Sequence, residues 1–125
     1  MSRTFIFAPV DDPAEAARTI AESGLLPDLV LVPPSPVARE RAETAVGGRY
    51  VPTLEEPLLD GVPGGAGEDA LERLAQVLRA VQAYSARRPL ILWDRVDILG
   101  ASSFVLDEDG LGRLADDLER LLPLP

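Results

Sequence analysis

The sequence has 125 residues, of which 46% are hydrophobic, and this is enough for one domain with a core of its own. It contains no cysteine and no histidine, which excludes disulfides, thiolate metal sites, cysteine nucleophiles and phosphohistidine chemistry. A formal net charge of -9 argues against nucleic acid and anionic membranes as partners, although acidity also serves solubility. No segment is apolar for long enough to span a bilayer and the first residues have no secretory signal pattern, so we expect a cytoplasmic protein.

The first strand and helix are predicted at the start of the chain. Residues 4–8 (TFIFA) read as a buried strand. Asp11 or Asp12 then caps a helix that has Pro13 at its first position, where the missing N–H costs nothing, and Gly24 ends that helix. The face of this helix that we expect to be buried consists of Ala14, Ala17, Ile20 and Ala21.

A second strand and helix follow. Residues 28–32 (DLVLV) are apolar without alternation, which is typical of a parallel strand covered on both faces. Pro36 begins a helix that runs to the glycine pair at Gly47 and Gly48. Residues 49–54 (RYVPTL) then offer a short third strand.

The second half of the chain starts with a loop rich in glycine and proline, residues 55–69, which lacks the Gly-Lys-Ser/Thr of a nucleotide-binding loop. A long amphipathic helix is predicted over residues 68–86, a strand over 90–93 and another strand over 102–106. Asp109 can cap a last helix. The apolar stripes are Leu71, Leu74, Leu78 and Val81 on the long helix, and Leu111, Leu114, Leu118 and Leu121 on the last one.

This alternation of strands and helices predicts a single α/β domain over residues 1–125, with a mostly parallel sheet in a three-layer α/β/α sandwich. Ligands of such sheets bind where the strands end at their carboxyl edge. The segments to inspect are therefore 9–12, 33–39 and 94–97.

The turn before the second helix has the features of an anion site. Ser35 can cap the helix, and Arg39 lies four residues later, so a guanidinium joins the free N–H groups of the helix start. Prolines at 33, 34 and 36 make this turn poorer in N–H donors than a glycine-rich phosphate loop. The alternative is that Arg39 and Arg41 lie on a solvated face and pair with nearby acids, namely Glu40, Glu43 or Glu55.

The segment PDLVLVPPSPVARERAETA (27–45), followed by EEPLLDG and RPLILWD, resembles the histidine phosphatase superfamily, also called phosphoglycerate mutase-like. Members of that family read as strand-Arg-His-Gly, then Pro-Asp-strand-Ser-Pro-Leu-x-Arg-Ala-x-x-Thr-Ala, and later a strand that ends in histidine. The resemblance covers about residues 3–97, with one extra residue before Thr44. It implies a phosphoglycerate mutase-like fold.

The same resemblance implies a site that has lost its chemistry. It puts the nucleophilic histidine at Val10, the second histidine at Asp94 and, more loosely, the acid/base carboxylate at Asp60. Arg39 beside Ser35 matches a phosphate-gripping arginine. The family reaction needs an imidazole to attack phosphorus, and valine has no lone pair, while an aspartate would repel the phosphoryl oxygens. We call these five positions the relic pocket, and we expect neither phosphatase nor mutase activity.

Three hypotheses for function follow. The first is a pseudoenzyme that acts as a binding or structural/regulatory module with a protein partner or as a homodimer through the leucine-rich helices, whose stripes could instead simply face the core. The second is a protein that binds a small anion or phosphate ester through Arg39, Ser35 and the helix start, unless an Arg39–Asp94 ion pair closes that site. Neither hypothesis implies a cofactor.

The third hypothesis is a metal-dependent hydrolase. Asp11, Asp12, Asp94 and Asp97 all lie near the predicted carboxyl edge, and a cluster of carboxylates there would suit Mg²⁺ or Ca²⁺. Several aspartates near one edge are also expected in a chain this acidic, and one of the first two is already assigned to a helix cap.

Overall fold

The computed structural model describes residues 3–59, 68–93 and 103–121. These ranges form an α/β fold with a five-stranded, mostly parallel sheet and four α-helices, which confirms the prediction of an α/β domain with a mostly parallel sheet. The elements are β1 (Thr4–Pro9), α1 (Pro13–Ser23), β2 (Leu29–Val32), α2 (Pro36–Ala45), β3 (Thr53–Glu55), a 3₁₀ turn (Pro57–Leu59), α3 (Glu68–Gln82), β4 (Pro89–Trp93), β5 (Phe104–Asp107) and α4 (Glu108–Leu121).

The strands lie in the order β3-β2-β4-β1-β5. The first four are parallel, with Ile91 of β4 level with Phe7 of β1 and with Leu31 of β2. β5 runs antiparallel to β1, and Phe104 lies level with Phe7. The carboxyl ends of β2, β4 and β1 are therefore neighbours along one edge of the sheet, where the sequence predicted the site.

The two faces of the sheet belong to separate hydrophobic clusters, because successive strand residues point to opposite sides. On one face, the strands pack against α1 and α2; the buried members are Ile6, Ala8, Val10, Ala16, Ile20, Val30, Val32, Ala38, Ala42, Ala45, Val46, Leu90 and Leu92. On the other face, they pack against α3 and α4; the buried members are Phe5, Phe7, Leu29, Leu31, Leu59, Leu74, Ala75, Val77, Leu78, Val81, Ile91, Trp93, Leu111, Ala115 and Leu118.

Helix α1 begins and ends as its sequence predicts. The Asp12 carboxylate accepts a hydrogen bond from the Glu15 N–H at 3.1 Å, and Pro13 occupies the first position. Gly24 has φ 70, a left-handed conformation that glycine adopts without strain, and its N–H donates to the Ile20 carbonyl. Asp12 is thus the cap, and Asp11 is an exposed residue of the preceding turn.

Two local predictions were wrong. In α1, Ala14 and Ala21 of the predicted face are exposed and Ala17 is half-buried. Ile20 is buried as predicted, together with Ala16, which lies four residues earlier on the same face. At the start of α4, the cap is Asp107 rather than Asp109, since the Asp107 carboxylate accepts from the Gly110 N–H at 2.6 Å. The last helix therefore begins directly where β5 ends.

The apolar stripes of α3 and α4 face the core. Leu74, Leu78 and Val81 are buried, and Leu111 and Leu118 meet them from α4, as the alternative reading of these stripes predicted. Of the other stripe positions, Leu114 is half-buried against this cluster and Leu121 is 70% exposed, while the side chain of Leu71 lies outside the described residues. A homodimer through these helices would have to use other faces than the buried stripes.

On the outer side of α3 and α4, the side chain of Arg79 connects the two helices by hydrogen bonds. The Arg79 guanidinium donates to Asp116 at 2.5 Å and to Glu119 at 2.6 Å. Hydrogen bonds to Glu119 and then to Asp116 raise the pKa of Arg79, and the same contact lowers the pKa of Glu119. On this exposed side, Arg79 of α3 is thus paired with acidic side chains of α4.

Within the described ranges, no helix has both the length and the apolar character needed to cross a lipid bilayer.

Candidate functional site

The end of β1 carries a buried valine at the position where the family resemblance expects a nucleophile. Val10 donates its N–H to the Trp93 carbonyl at 3.2 Å, so the chain stays bonded to β4 for one residue beyond the strand. Its side chain is buried in the cluster under α1 and α2. Asp12 then donates back to the Pro9 carbonyl at 3.3 Å. In this turn the side chain of Val10 is therefore buried, and that of Asp11 is exposed.

The start of α2 forms as the sequence predicts. Ser35 is extended, with φ -156 and ψ 133, and its Oγ accepts from the Ala38 N–H at 3.5 Å. Pro36 takes the first helical position, and the Arg39 N–H donates to the Ser35 carbonyl at 3.3 Å. The hydroxyl of Ser35 is thus engaged in the helix cap, which leaves Arg39 as the charged group of this turn.

Arg39 is already paired. Its Nε donates to Glu55 Oε2 at 3.2 Å, and its Nη1 reaches the Thr53 carbonyl at 3.5 Å. The two side chains are 49% and 43% exposed, so this ion pair is solvated and contributes little to stability. Of the three predicted partners, Glu55 is the one observed, and within the described ranges Arg41 makes no ion pair. The interpretation that both arginines pair with nearby acids on a solvated face is therefore correct for Arg39 and wrong for Arg41.

The pairing with Glu55 ties Arg39 to β3, on the outer side of β2. Val10 follows β1, and two strands, β2 and β4, lie between β3 and β1. Because neighbouring strands are about 4.8 Å apart, β3 and β1 are separated by roughly 14 Å. The structure therefore does not bring the guanidinium of Arg39 toward Val10. The Arg39–Asp94 ion pair stays a prediction, because Asp94 lies outside the described residues.

The remaining site candidates are acidic. Asp60 of the relic pocket, and Asp94 and Asp97 of the metal hypothesis, lie outside the described residues. Asp11 is exposed, and Asp12 is the cap of α1. In the part of the chain that the structure describes, no three carboxylates gather as a metal site would require.

Two polar groups near the carboxyl edge were not predicted. Among the described residues, Trp93 Nε1 is the buried side-chain atom that has no hydrogen-bond partner. The Trp93 side chain is buried in the cluster under α3 and α4, where an N–H without an acceptor costs about 1–3 kcal/mol. Glu56, directly after β3, accepts from the Tyr84 hydroxyl at 3.1 Å. Burial, and then this hydrogen bond, raises the pKa of Tyr84.

The structure also has a cleft that the sequence analysis missed. It has a volume of about 480 Å³ and lies between the second half of α2 and the start of β3. The glycine pair, read from the sequence only as a helix stop, shapes it: Gly47 and Gly48 have φ 68 and 80 and turn the chain back. The lining residues are Arg39, Ala42, Glu43, Val46, Gly48, Arg49, Tyr50, Val51, Pro52 and Thr53.

Comparison with known proteins adds no assignment to this geometry. No family model, no curated protein and no solved structure matches the chain. Function must therefore be argued from the residues at the sheet edge and in the cleft. Of the relic pocket, the described positions are Val10, Ser35 and Arg39.

Proposed function

We propose that the chain is a catalytically inactive domain of the histidine phosphatase, or phosphoglycerate mutase-like, type and acts as a binding or structural/regulatory module. Its proposed arrangement is a three-layer α/β/α sandwich, supported by the two hydrophobic clusters on opposite faces of the sheet. The strand, serine-capped turn and arginine-bearing helix at 29–45 support the resemblance from which the proposal starts.

The observation that carries the loss of activity is Val10. In the proposed alignment with the family, this residue replaces the histidine that attacks phosphorus, and it is buried and bonded through its backbone to β4. A covalent phosphoenzyme needs a nucleophile with a lone pair and a base or donor nearby. With no histidine anywhere in the sequence, no other residue can supply the imidazole.

A second candidate function, binding of a small anion or phosphate ester without turnover, is favoured by one observation. Among the described residues, Nη2 of Arg39 has no hydrogen-bond partner, and Arg39 lies in the helix that follows β2. An anion at the carboxyl end of β2 could accept from this Nη2 and from the start of α2. The ligand would have to draw Arg39 away from Glu55, a solvated pair that is weak.

The first test is phosphatase activity of the pure, metal-free protein. We expect no hydrolysis of p-nitrophenyl phosphate above the buffer rate, because no residue can form the phosphohistidine of the family reaction. Arg39→Ala and its neighbour on the same helix, Arg41→Ala, serve as a matched pair. Turnover that disappears in Arg39→Ala and persists in Arg41→Ala would refute the proposal. Turnover that appears only when Mg²⁺ is added would favour the carboxylate site of Asp11, Asp94 and Asp97.

The second test is thermal unfolding in the presence of phosphate, sulfate, Mg²⁺ and small phosphorylated metabolites. A ligand at 100 times its dissociation constant adds about 2.7 kcal/mol of stability and raises Tm by several degrees. For a module that works through protein partners, we expect no shift with any of them. A shift with anions that is lost in Arg39→Ala and kept in Arg41→Ala would replace the first function by the second.

A further inference from the structure

We propose that the cleft between α2 and β3 is a binding site for a small anion attached to a ring, such as an aryl phosphate or an aromatic carboxylate, with Arg49 as its principal anchor. This inference goes beyond the proposed function. Of the five relic positions, it uses only Arg39, which is part of the lining. It rests on the charge of the lining, the donors that are left without partners, the apolar surface and the size of the cleft.

The charge of the lining differs from that of the whole chain. The charged residues of the lining are Arg39, Arg49 and Glu43, a formal charge of +1 against -9 for the chain, and Glu55 pairs with Arg39 from outside the lining. Among the described residues, Arg49 is in no ion pair, and a cation in a concave surface attracts anions, while the surrounding acidic surface repels them elsewhere. The presence of Glu43 disfavours polyanions such as triphosphates and favours a ligand with a single anionic group.

Both arginines keep donors available for a ligand. Arg49 uses Nε to donate to the Val46 carbonyl at 3.2 Å, and within the described residues its two Nη groups have no hydrogen-bond partner. Within the same part of the chain, Arg39 uses Nε and Nη1, which leaves Nη2 available. A guanidinium held by its Nε with free Nη groups is oriented for a phosphate or a carboxylate, which accept two parallel N–H bonds.

The rest of the cleft suits an apolar, flat group. Val46 is buried and Val51 half-buried, and with Ala42 and Pro52 they supply carbon surface. Tyr50 is 92% exposed, a high value for an aromatic residue, and belongs to the lining. An aromatic side chain without packing partners can cover a bound ring by stacking. Small-molecule sites measure about 300–1,000 Å³, and the cleft falls within that range at about 480 Å³.

The test is calorimetric titration of the full chain with phenyl phosphate and with benzoate, which separates the two sources of an aromatic anion. Inorganic phosphate and benzyl alcohol present each half of the ligand alone. We expect at least one aromatic anion to bind and both halves to bind at least about tenfold more weakly, since charge and stacking act together. The variants to compare are Arg49→Ala, Arg49→Gln, Tyr50→Ala and, as a charge-matched control on α2, Arg41→Ala.

The expected loss is about tenfold or more in Arg49→Ala and Arg49→Gln, with less than about twofold change in Arg41→Ala. Unchanged melting temperatures will show that the substitutions at the exposed Arg49 and Tyr50 and at the half-buried Arg41 leave the fold intact. Failure of both aromatic anions to bind at millimolar concentration, or equal affinity in the Arg49 variants, would overturn the proposal. Binding that depends on Arg39 and not on Arg49 would also overturn it and would indicate the relic pocket instead.

Discussion

Replacing Phe7 by alanine should lower the free energy of unfolding by about 3–5 kcal/mol, the range typical of a large aromatic removed from a core. Phe7 is fully buried at the centre of β1, and its ring stacks on that of Phe104 with centroids 4.8 Å apart and an interplanar angle of 12°. The substitution removes this aromatic contact and leaves a cavity under α3 and α4. Since small domains are stable by only about 5–15 kcal/mol, the loss is a large fraction of the total.

Urea denaturation followed by tryptophan fluorescence measures this effect, because Trp93 is the one tryptophan in the chain. Phe7→Leu, which retains most of the volume, should cost less than Phe7→Ala and provides a measurement if the alanine variant does not fold. Val37→Ala is the control: Val37 is 50% exposed, and the change should stay within about 0.5 kcal/mol. Equal midpoints for Phe7→Ala and Val37→Ala would contradict the packing described for this face.

The parts of the fold that were predictable are those where local chemistry decides the structure. The uninterrupted apolar runs of β2 and β4 were readable because both faces of these strands are covered, and both strands are buried throughout. Pro13 and Gly24 mark the ends of α1 through backbone effects that need no partner. The buried face of α1 was not readable, because alanines fall on several sides of this helix and only the position of the sheet selects one of them.

The site was predictable to a smaller extent. The Ser35 cap is local and was correct, and Glu55 was among the acids proposed for Arg39. Which acid pairs with Arg39 depends on the register of β3 against β2, which the sequence does not state. The cleft was missed for the same reason, because Arg39 and Arg49 are ten residues apart and meet only through the turn at Gly47 and Gly48.

Arginine at position 3 should contribute more to stability than an ordinary surface arginine. Its Nη1 donates to the Gln82 and Tyr84 carbonyls at the end of α3, and its Nε and Nη2 donate to Glu108 at the start of α4, at 3.0 and 2.8 Å. The guanidinium lies 5.1 Å from the centre of the Phe5 ring, and the side chain is only 20% exposed. Arg3, which directly precedes β1, thus bonds both to the end of α3 and to the start of α4. Arg3→Ala should lower the free energy of unfolding by about 2 kcal/mol at neutral pH.

The effect of Arg3→Ala should also depend on pH. The hydrogen bond from Arg3 is the main reason why the pKa of Glu108 is below its ordinary value of 4.5. A carboxyl whose pKa is lowered by folding stabilises the folded state above that ordinary value, and this contribution is lost as the pH falls through the lowered pKa. The difference between the original protein and Arg3→Ala should therefore narrow below about pH 4.5 without vanishing, because the bonds to the two carbonyls do not titrate.

Urea unfolding at pH 7 and at about pH 3.5 measures both parts of this expectation. Arg3→Lys keeps the charge but cannot reach three acceptors at once, so it should fall between the original protein and Arg3→Ala. Arg113→Ala is the control, since Arg113 is exposed and, among the described residues, donates only to the Asp109 carbonyl of its own helix, at 3.4 Å. The structural role of Arg3 is refuted if Arg3→Ala is as stable as Arg113→Ala at pH 7. If the difference in unfolding free energy between the original protein and Arg3→Ala stays constant or grows at the acidic pH, the contribution of Glu108 is refuted, but the role of the two carbonyl bonds is not.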